Sequence, residues 1–209
     1  MSFNKELSLW IIAHRGDWSS KIEQNSIASI ERAFAGGFSV ETDVRQFMGK
    51  LVVSHDIPNS NEYLPELQIK HGNRFALNIK EDGLFNFFEQ QREMIISTSS
   101  FLFDGSIPQM YVINKLGLPH ALRLSEFERE IPWNCEYLWI DSFESSWWLN
   151  DPSVYKLIEK YKCIFVSPEL HNRDYSEAFD WFADIRVNKG FNISVCTDFP
   201  QALSEYCHG

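Results

Sequence analysis

Three short, largely apolar runs near the amino terminus are each followed by ionisable residues. Residues 11–13, 38–40 and 51–53 have the length and composition of buried strands, and His14, Glu41 and His55 stand at or just after their ends. A buried strand is typically a short apolar run bounded by polar residues. Few folds require such a series, and we expect the polar residues at the three ends to converge on one site.

The polar residues at these ends have complementary chemistry. A carboxylate pair such as Glu41 and Asp43 can hold a hard divalent cation, and two residues of that spacing on a strand share one face. An arginine such as Arg15 can form bidentate hydrogen bonds to a phosphate. His14 and His55 can accept and donate protons near neutral pH. Together they indicate metal-assisted cleavage of a phosphodiester.

The rest of the chain alternates between strand and helix patterns. Further apolar runs begin near residues 75, 101, 121, 137, 163 and 192, and segments such as 25–35, 83–91, 152–161 and 175–188 have helical patterns between them. We expect Asn25 to cap the first of these helices. We predict an α/β protein with a closed (β/α)8 TIM barrel, formed by one domain over residues 1–209. Such a barrel typically needs about 250 residues, so this one must be compact, with short loops.

Every predicted barrel strand ends in a polar residue. In barrels of this type, catalytic groups lie at the carboxyl ends of the strands, which favours a functional interpretation of these positions. The alternative is that strands simply exit into solvent, and it explains Asp104 and Asp198 most easily. The full set is His14, Glu41, Asp43, Asn78, Lys80, Asp104, Arg123, Asp141, Glu169 and Asp198.

The motifs and their order resemble the glycerophosphodiester phosphodiesterase family, within the phosphatidylinositol phospholipase C-like superfamily. The family pattern runs from His-Arg-Gly through an Asn-Ser helix start to Glu-x-Asp and His-Asp. Here these are residues 14–16, 25–26, 41–43 and 55–56. Weaker signals at 78–80, 167–169 and 197–200 extend the resemblance over nearly the whole chain.

The resemblance implies a role for each matching residue. His14 and His55 become the acid and base, with Asp56 beside the second histidine, and Arg15 binds phosphate. Glu41 and Asp43 become ligands of Mg²⁺ or Ca²⁺. We assign phosphate or headgroup binding to Lys80 and Arg123, which could instead pair with Asp104 or Asp141. Arg15 could likewise form a structural salt bridge.

Three positions depart from the family pattern. Asn78 replaces a glutamate metal ligand, so we expect weaker metal binding through its amide oxygen, with Glu169 or Asp141 as compensating carboxylates. Glu23 lies one position earlier than the family's glutamate, because Gln24 intervenes. The connection over residues 57–74 is short, which leaves no room for an insertion subdomain and predicts an open pocket.

Charge and composition limit the partners. A formal net charge of −10 opposes nucleic-acid binding, because that affinity depends on basic residues neutralising phosphates. The sequence contains no apolar stretch near the ~20 residues of a membrane span and no recognisable signal peptide. Four scattered cysteines without a Cys-x-x-Cys pair suit a reducing compartment, and we predict a cytoplasmic protein. The expected partner is a small phosphodiester; the oligomeric state is left open.

Two other hypotheses remain open at this point. The chain could be a non-catalytic phosphoester-binding relative in which Asn78 marks a decayed metal site, although both histidines are retained. It could also be a metal-dependent sugar-phosphate enzyme on another barrel, which would leave His-Arg-Gly unexplained. Trp139, Trp147 and Trp148 could form a platform for a sugar or glycerol group, or simply pack in the core.

Overall fold

The protein is an eight-stranded parallel α/β barrel, described here by a computed structural model over residues 11–58, 64 and 66–208. The predicted (β/α)8 barrel is confirmed. Its strands follow the spatial order β5-β4-β2-β1-β9-β8-β7-β6, with β3 attached to β2 outside this path. The strands are β1 (Ile11–His14), β2 (Ser39–Phe47), β3 (Lys50–Val53), β4 (Phe75–Ile79), β5 (Phe101–Phe103), β6 (Ala121–Leu124), β7 (Tyr137–Ile140), β8 (Lys162–Val166) and β9 (Ile193–Thr197).

Helices connect most of the barrel strands and cover the outside of the barrel, but among the described residues no α-helix lies between β2 and β4 or between β6 and β7. Within the part of the chain that the structure describes, no helix is both long and apolar enough to cross a membrane. The helix predicted over 83–91 is present as Phe85–Gln90, and a second short helix over Arg92–Ser97 follows it. The α-helices are α1 (Ile27–Ala35), α2 (Phe85–Gln90), α3 (Arg92–Ser97), α4 (Ile107–Lys115), α5 (Ser153–Lys160), α6 (Ser176–Ala183) and α7 (Pro200–His208).

Alternate residues of the strands form two separate buried clusters. The larger one lies between strands and helices, while the smaller one contains inward-facing residues such as Ile12, Ala76 and Trp139. Inside the barrel, Phe103 stacks on Trp139 with ring centroids 4.0 Å apart, and Phe101 stacks on Tyr137 at 4.6 Å. Side chains fill the barrel below its mouth, as expected for this fold.

The same alternation explains where the polar strand ends go. Because side chains on a strand alternate between two faces, the residue two positions after an inward-facing residue also faces inward. His14 follows Ile12 in this way, Asn78 follows Ala76, and Asp141 follows Trp139. The polar residues are therefore the uppermost inward layer of the barrel.

Strand β3 is not a barrel strand. It pairs antiparallel with β2, with Val44 opposite Val53, and Met48 and Gly49 form the connecting turn with positive φ angles of 48° and 77°. Strand β2 also continues to Phe47, so Glu41 and Asp43 lie within it rather than beyond its end. The hairpin returns the chain to the level of Asp43, whose carbonyl accepts a hydrogen bond from Ser54 N at 3.0 Å.

The barrel closes weakly between β5 and β6. Seven parallel pairings hold the other neighbouring strands, whereas β5 and β6 are joined by an isolated bridge between Leu102 and His120. Leu102 N donates to Pro119 O at 3.0 Å at this point. We call this junction the seam, and it leaves space between the two strands towards the barrel mouth.

The connection between β3 and β4 adds little regular structure. Among its described residues, Glu66 forms an isolated antiparallel bridge with Val52, and Leu67 and Ile69 pack into the core. The expectation of a compact barrel without an insertion subdomain agrees with this arrangement. The four cysteines are free, and Cys163 and Cys196 are buried.

Gly16 sits at a contact that excludes any side chain. Its φ is +89°, and a Cβ there would lie 2.6 Å from Ser29 Oγ and 2.7 Å from Ser29 C. We expect Gly16→Ala to lower the free energy of unfolding by about 3 kcal/mol, from backbone strain and overpacking together. Equilibrium unfolding in urea measures it.

Gly49→Ala is the matched control, because Gly49 has a φ of +77° with nothing within 4 Å of the added Cβ. It should cost about 1 kcal/mol from strain alone. Equal losses in the two variants would contradict the close contact between Gly16 and α1.

Candidate active site

Strand register brings the first group of polar residues together. His14 pairs with Glu41 across β1 and β2, and Asp43 pairs with Asn78 across β2 and β4. Glu41 and Asp43 are almost fully buried, with 1% and 0% of their side chains exposed. The two carboxylates therefore share a protected position at the barrel mouth.

Asp43 is the most strongly compensated charge in this group. Arg15 Nε and Lys80 Nζ each lie 3.0 Å from its carboxylate, one at each oxygen. Asn25 Nδ2 also donates to Oδ2 at 2.7 Å. Burial by itself would raise the pKa of Asp43, but Lys80, Arg15 and the Asn25 hydrogen bond outweigh it and hold the pKa below its ordinary value.

Glu41 has the opposite electrostatic position. Burial raises the pKa of its carboxyl group, and the adjacent Asp43 raises it further. Its oxygens accept hydrogen bonds from Asn78 Nδ2 at 3.1 Å and from Arg15 N at 3.2 Å. The surroundings therefore favour the charged form of Asp43 and disfavour the charged form of Glu41.

The loop after β1 is shaped around Asp43. Arg15 and Asn25 both have positive φ, 58° and 59°, and Asn25 N donates to Arg15 O at 2.9 Å. Asn25 Oδ1 accepts from Thr42 Oγ1 at 2.8 Å while its amide group holds Asp43. The prediction that Asn25 caps α1 is wrong: Ser26 is the cap, and its Oγ accepts from Ser29 N at 3.1 Å.

His14 is oriented by Asp198. Its Nδ1 lies 2.6 Å from Asp198 Oδ1, and its Nε2 lies 3.9 Å from Glu41 Oε2. Because a carboxylate only accepts hydrogen bonds, Nδ1 carries a proton and Nε2 is the ring nitrogen that can exchange one. From the sequence alone, Asp198 could be a polar residue at a strand end that simply faces solvent. In the structure it contacts His14, the predicted acid–base histidine.

Glu169 supports this contact from the neighbouring strand. It accepts hydrogen bonds from Thr197 Oγ1, from Asp198 N at 3.1 Å and from Ser167 Oγ at 2.5 Å. Burial raises the pKa of Glu169 despite these donors. Glu169 thus fixes the segment that carries Asp198, and the structure does not bring it into a three-carboxylate group with Glu41 and Asp43.

His55 occupies a more open position than His14. Its side chain is 49% exposed, and its Nδ1 lies 2.8 Å from Asp56 Oδ1, whose side chain is 94% exposed. Arg45 donates to its carbonyl oxygen through Nε at 3.1 Å and Nη2 at 3.0 Å. His55, Arg15 and Asn25 line one cavity of about 550 Å³ next to the carboxylate pair.

Arg123 and Asp141 belong to the opposite half of the mouth. Arg123 Nε contacts Glu128 Oε2 at 2.5 Å, and its Nη1 lies 3.3 Å from Asp104 Oδ1. Asp141 Oδ1 lies 2.8 Å from His171 Nε2 and accepts from Ser142 N at 2.8 Å. Lys80, by contrast, contacts Asp43 in the first half, so the predicted phosphate-binding side chains divide between the two halves.

Glu23 lies away from the carboxylate pair. Its carboxylate accepts from Arg32 Nη2 and from Ser19 N at 3.1 Å, on the exterior beside α1. The three tryptophans also do not form a platform: Trp139 and Trp148 are buried, Trp148 against Phe165, Trp181 and Phe182.

The residues around Glu41 and Asp43 suit a weakly bound hard cation. Asn78 Oδ1 is buried and has no hydrogen-bond partner among the described residues, as is also the case for Asp43 Oδ1 beside the Lys80 ammonium. Two carboxylates and an amide form an all-oxygen set of the kind that Mg²⁺ and Ca²⁺ prefer. Within residues 11–58, 64 and 66–208, no group of three or more His, Cys, Asp or Glu side chains could hold a metal ion.

Neither a family model nor a curated protein sequence matches the chain. A crystal structure of glycerophosphodiester phosphodiesterase from Agrobacterium tumefaciens str. C58 matches it with a TM-score of 0.72. The two proteins share one fold. The match covers 96% of this chain and 100% of that one at 13% sequence identity. The resemblance carried by residues 14–16, 41–43 and 55–56 is therefore confirmed at the level of the fold.

Sequence reasoning missed several residues that shape the site. Asn25 holds Asp43, Gln24 Oε1 accepts from Arg15 Nη1 at 3.3 Å, and His171 contacts Asp141. The Asn-Ser pair at residues 25–26 drew attention to Asn25, but a helix cap was a simpler interpretation than a contact with Asp43. His171 follows Glu169 by two residues, and no local pattern links it to Asp141 on another strand.

The raised pKa of Glu41 predicts a pH-dependent stability. Because the folded protein binds this proton more tightly than the unfolded chain, stability is lost as pH rises from the ordinary glutamate pKa of ~4.3 through the raised value. Glu41→Gln removes that loss. Between pH 4 and pH 7, the free energy of unfolding of Glu41→Gln relative to wild type should therefore increase.

Urea unfolding at several pH values measures this difference. Glu159→Gln, an exposed position on α5, removes the same charge and should show a nearly constant difference. A constant difference for Glu41→Gln as well would contradict the raised pKa.

Proposed function

We propose that the protein is a phosphodiesterase that hydrolyses a glycerophosphodiester, or a related small phosphodiester, to a phosphomonoester and an alcohol. The observation that carries this proposal is the buried Glu41–Asp43 pair with Arg15, Lys80 and His14 around it. The fold shared with a glycerophosphodiester phosphodiesterase supports it as well.

Arg15 and Lys80 supply the positive charge that a phosphodiester requires. Both cations contact Asp43, and Arg15 also borders the cavity that contains His55. A guanidinium can bind two phosphoryl oxygens at once, and its attraction strengthens as negative charge develops in the transition state. Asp43 holds the two cations in place between substrates.

His14 exchanges the proton on one side of the phosphorus atom. Nδ1 donates its hydrogen bond to Asp198 Oδ1, which lies 2.6 Å away. Nε2 is therefore the nitrogen that accepts a proton from the attacking hydroxyl or water. His55 is the second acid–base group and delivers a proton to the departing alcohol. Its exposed position suits a group that meets the substrate from the open side of the cavity.

A divalent ion, Mg²⁺ or Ca²⁺, is the proposed cofactor. Glu41, Asp43 and the amide oxygen of Asn78 would hold it. Such an ion, when bound, neutralises charge on the phosphoryl oxygens. Since Arg15 and Lys80 already balance Asp43 and Asn78 brings no charge, we expect weak affinity.

The proposed partner is a small phosphodiester, and the net charge of −10 disfavours nucleic acid. The cytoplasmic assignment remains a prediction from the cysteine pattern. The division of residues 1–209 into a single domain also remains a prediction.

Turnover of a glycerophosphodiester panel tests the proposed activity. The purified protein with Mg²⁺ or Ca²⁺ should release alcohol, and a chelator should abolish the release. His14→Ala should lower kcat by about 100-fold to 10,000-fold, because it removes the group that exchanges the proton. Asp198→Asn should lower kcat and alter its pH profile, since it leaves the His14 tautomer undefined.

His71→Ala is the matched control, because His71 is exposed and lies outside the site. It should retain wild-type activity. Undiminished turnover by His14→Ala would contradict the assigned role, and the absence of turnover with either metal would contradict the proposed activity.

A substitution at Asn78 tests the proposed metal site. Asn78→Asp keeps the size of the side chain, adds a negative charge beside Glu41 and removes the Nδ2 donor at 3.1 Å. We expect about tenfold tighter Mg²⁺ or Ca²⁺ binding, since affinity depends on ligand charge, together with lower stability without metal. Isothermal titration calorimetry and unfolding with and without metal measure these effects.

Asn150→Asp adds the same charge at an exposed position and should leave metal affinity unchanged. Equal affinity in Asn78→Asp and wild type would contradict the placement of the ion between Glu41, Asp43 and Asn78. Binding of diesters without turnover would instead favour a non-catalytic phosphoester-binding protein, which the uncharged Asn78 also supports.

A further inference from the structure

Asp141 and His171 form a second carboxylate–histidine pair at the barrel mouth. His171 Nε2 lies 2.8 Å from Asp141 Oδ1, much as His14 Nδ1 lies 2.6 Å from Asp198 Oδ1. The proposed reaction uses the His14–Asp198 pair, whereas the Asp141–His171 pair has no role in it.

The Asp141–His171 pair belongs to the same mouth as the Glu41–Asp43 pair. Asp141 is the inward-facing residue above Trp139, and 8% of its side chain is exposed. Burial raises the pKa of the Cys196 thiol inside the barrel, and four carboxylates raise it further. They are Glu41, Asp198, Glu169 and Asp141. Because the interior of an eight-stranded barrel is only wide enough for side chains, groups in its uppermost layer are neighbours.

His171 has a ring nitrogen that is available to a ligand. Its Nε2 donates to Asp141, because a carboxylate only accepts, so Nδ1 of the neutral ring is an acceptor. No hydrogen bond joins this Nδ1 to another described residue. The atom is not sealed inside the protein, and 25% of the side chain is exposed.

His120 shows the contrasting case of a structural histidine. It is buried, its Nδ1 lies 2.9 Å from Leu118 O, and its Nε2 accepts from Trp133 Nε1 at 3.0 Å. Both of its ring nitrogens are therefore occupied by the protein. His171 differs because the protein occupies one nitrogen and leaves the other accessible at the mouth.

The surroundings hold the His171 ring in one orientation. Its centroid lies 5.1 Å from that of Phe143, and the Arg123 guanidinium lies over the Phe143 ring at 5.4 Å. Two residues beyond His171, Arg173 donates to Ser142 O and, at 3.0 Å, to Ser142 Oγ, which ties this segment to the end of β7. An acceptor that is already fixed costs little ordering entropy when a ligand binds.

Asp141 is fixed as firmly as the histidine that it contacts. Ser142 N donates to its Oδ1 at 2.8 Å, and Trp147 Nε1 donates to its carbonyl oxygen at 2.8 Å. Arg129 covers the Trp147 ring at 4.0 Å. The pair is therefore a rigid unit that presents one unused acceptor.

We propose that His171 is a substrate-binding residue whose Nδ1 accepts a hydrogen bond from a hydroxyl group on the alcohol portion that stays bonded to phosphorus. This inference rests on the proposed phosphodiesterase activity. In a glycerophosphodiester this portion is glycerol, whose free hydroxyls can donate to the nitrogen. Asp141 keeps the proton on Nε2, so that Nδ1 stays an acceptor.

The order of strands around the barrel gives the direction of this portion. Arg15 and Lys80 bind the phosphate beside β1, β2 and β4, and the departing alcohol occupies the cavity that contains His55. The retained portion extends the other way, across β9 and β8, to the Asp141–His171 pair beside β7.

Isothermal titration calorimetry with two phosphomonoesters tests the contact. α-Glycerophosphate and propyl phosphate share the phosphate and the carbon chain, and only the first has hydroxyls. Wild-type protein with Mg²⁺ should bind α-glycerophosphate about fivefold more tightly, which is the effect of one neutral hydrogen bond. His171→Ala should bind the two ligands equally.

The ratio of the two affinities separates a ligand contact from a structural role. Distortion of the site would weaken both ligands and leave the ratio unchanged. His71→Ala, at an exposed position outside the site, is the matched control and should keep the wild-type ratio.

A measurement on wild-type protein does not depend on the folding of the variant. In long-range proton–nitrogen NMR spectra of the histidine rings, the Nδ1 signal of His171 should shift with α-glycerophosphate. Propyl phosphate should leave that signal in place.

Kinetics test the same contact during turnover. His171→Ala should raise KM for a glycerophosphodiester severalfold and leave kcat nearly unchanged, because the hydrogen bond is present in both the bound ground state and the transition state. The KM for bis(p-nitrophenyl) phosphate, which has no hydroxyl, should not change.

Equal wild-type affinity for the two monoesters overturns the inference, as does a ratio that His171→Ala leaves unchanged or the absence of α-glycerophosphate binding. Turnover of diesters in any of these cases leaves the proposed activity intact. Hydroxyl-dependent binding that His171→Ala removes, without turnover of any diester, overturns the proposed activity alone.

Discussion

The rest of the site depends on the burial of a fully ionised aspartate. Asp43 has no exposed side-chain surface, and an uncompensated buried charge costs several kcal/mol. Arg15 and Lys80 supply that compensation from two different segments, and Asn25 adds a hydrogen bond from the loop before α1. The strained backbone of Arg15 and Asn25 is maintained because it delivers these partners to Asp43.

The barrel mouth has two halves with different electrostatic character. One half contains the carboxylate pair and its cations, and Asp198 and Glu169 position His14 beside it. The other half contains Arg123 with its two carboxylates, next to the seam.

The local sequence pattern predicted much of this arrangement, because the direction of side chains along a strand depends only on neighbouring residues. Strand period places Glu41 and Asp43 on one face, and it also places His14 and Asn78 in the uppermost layer. Pairing direction has no such local signature, so β3 was not recognised as part of an antiparallel hairpin. Asn25 and Ser26 can both cap a helix, and only the contact with Asp43 distinguishes their roles.

The sequence by itself determined the strand and helix alternation, the barrel class and the residues at the strand ends. These follow from hydrophobic period and from motifs within a few residues of one another. Only the tertiary structure decided that Asp198 orients His14, that Glu169 supports Asp198 rather than joining the carboxylate pair, and that arginines cover Phe143 and Trp147. Each of these contacts joins residues distant in the sequence, and its existence depends on which strand ends become neighbours when the barrel closes.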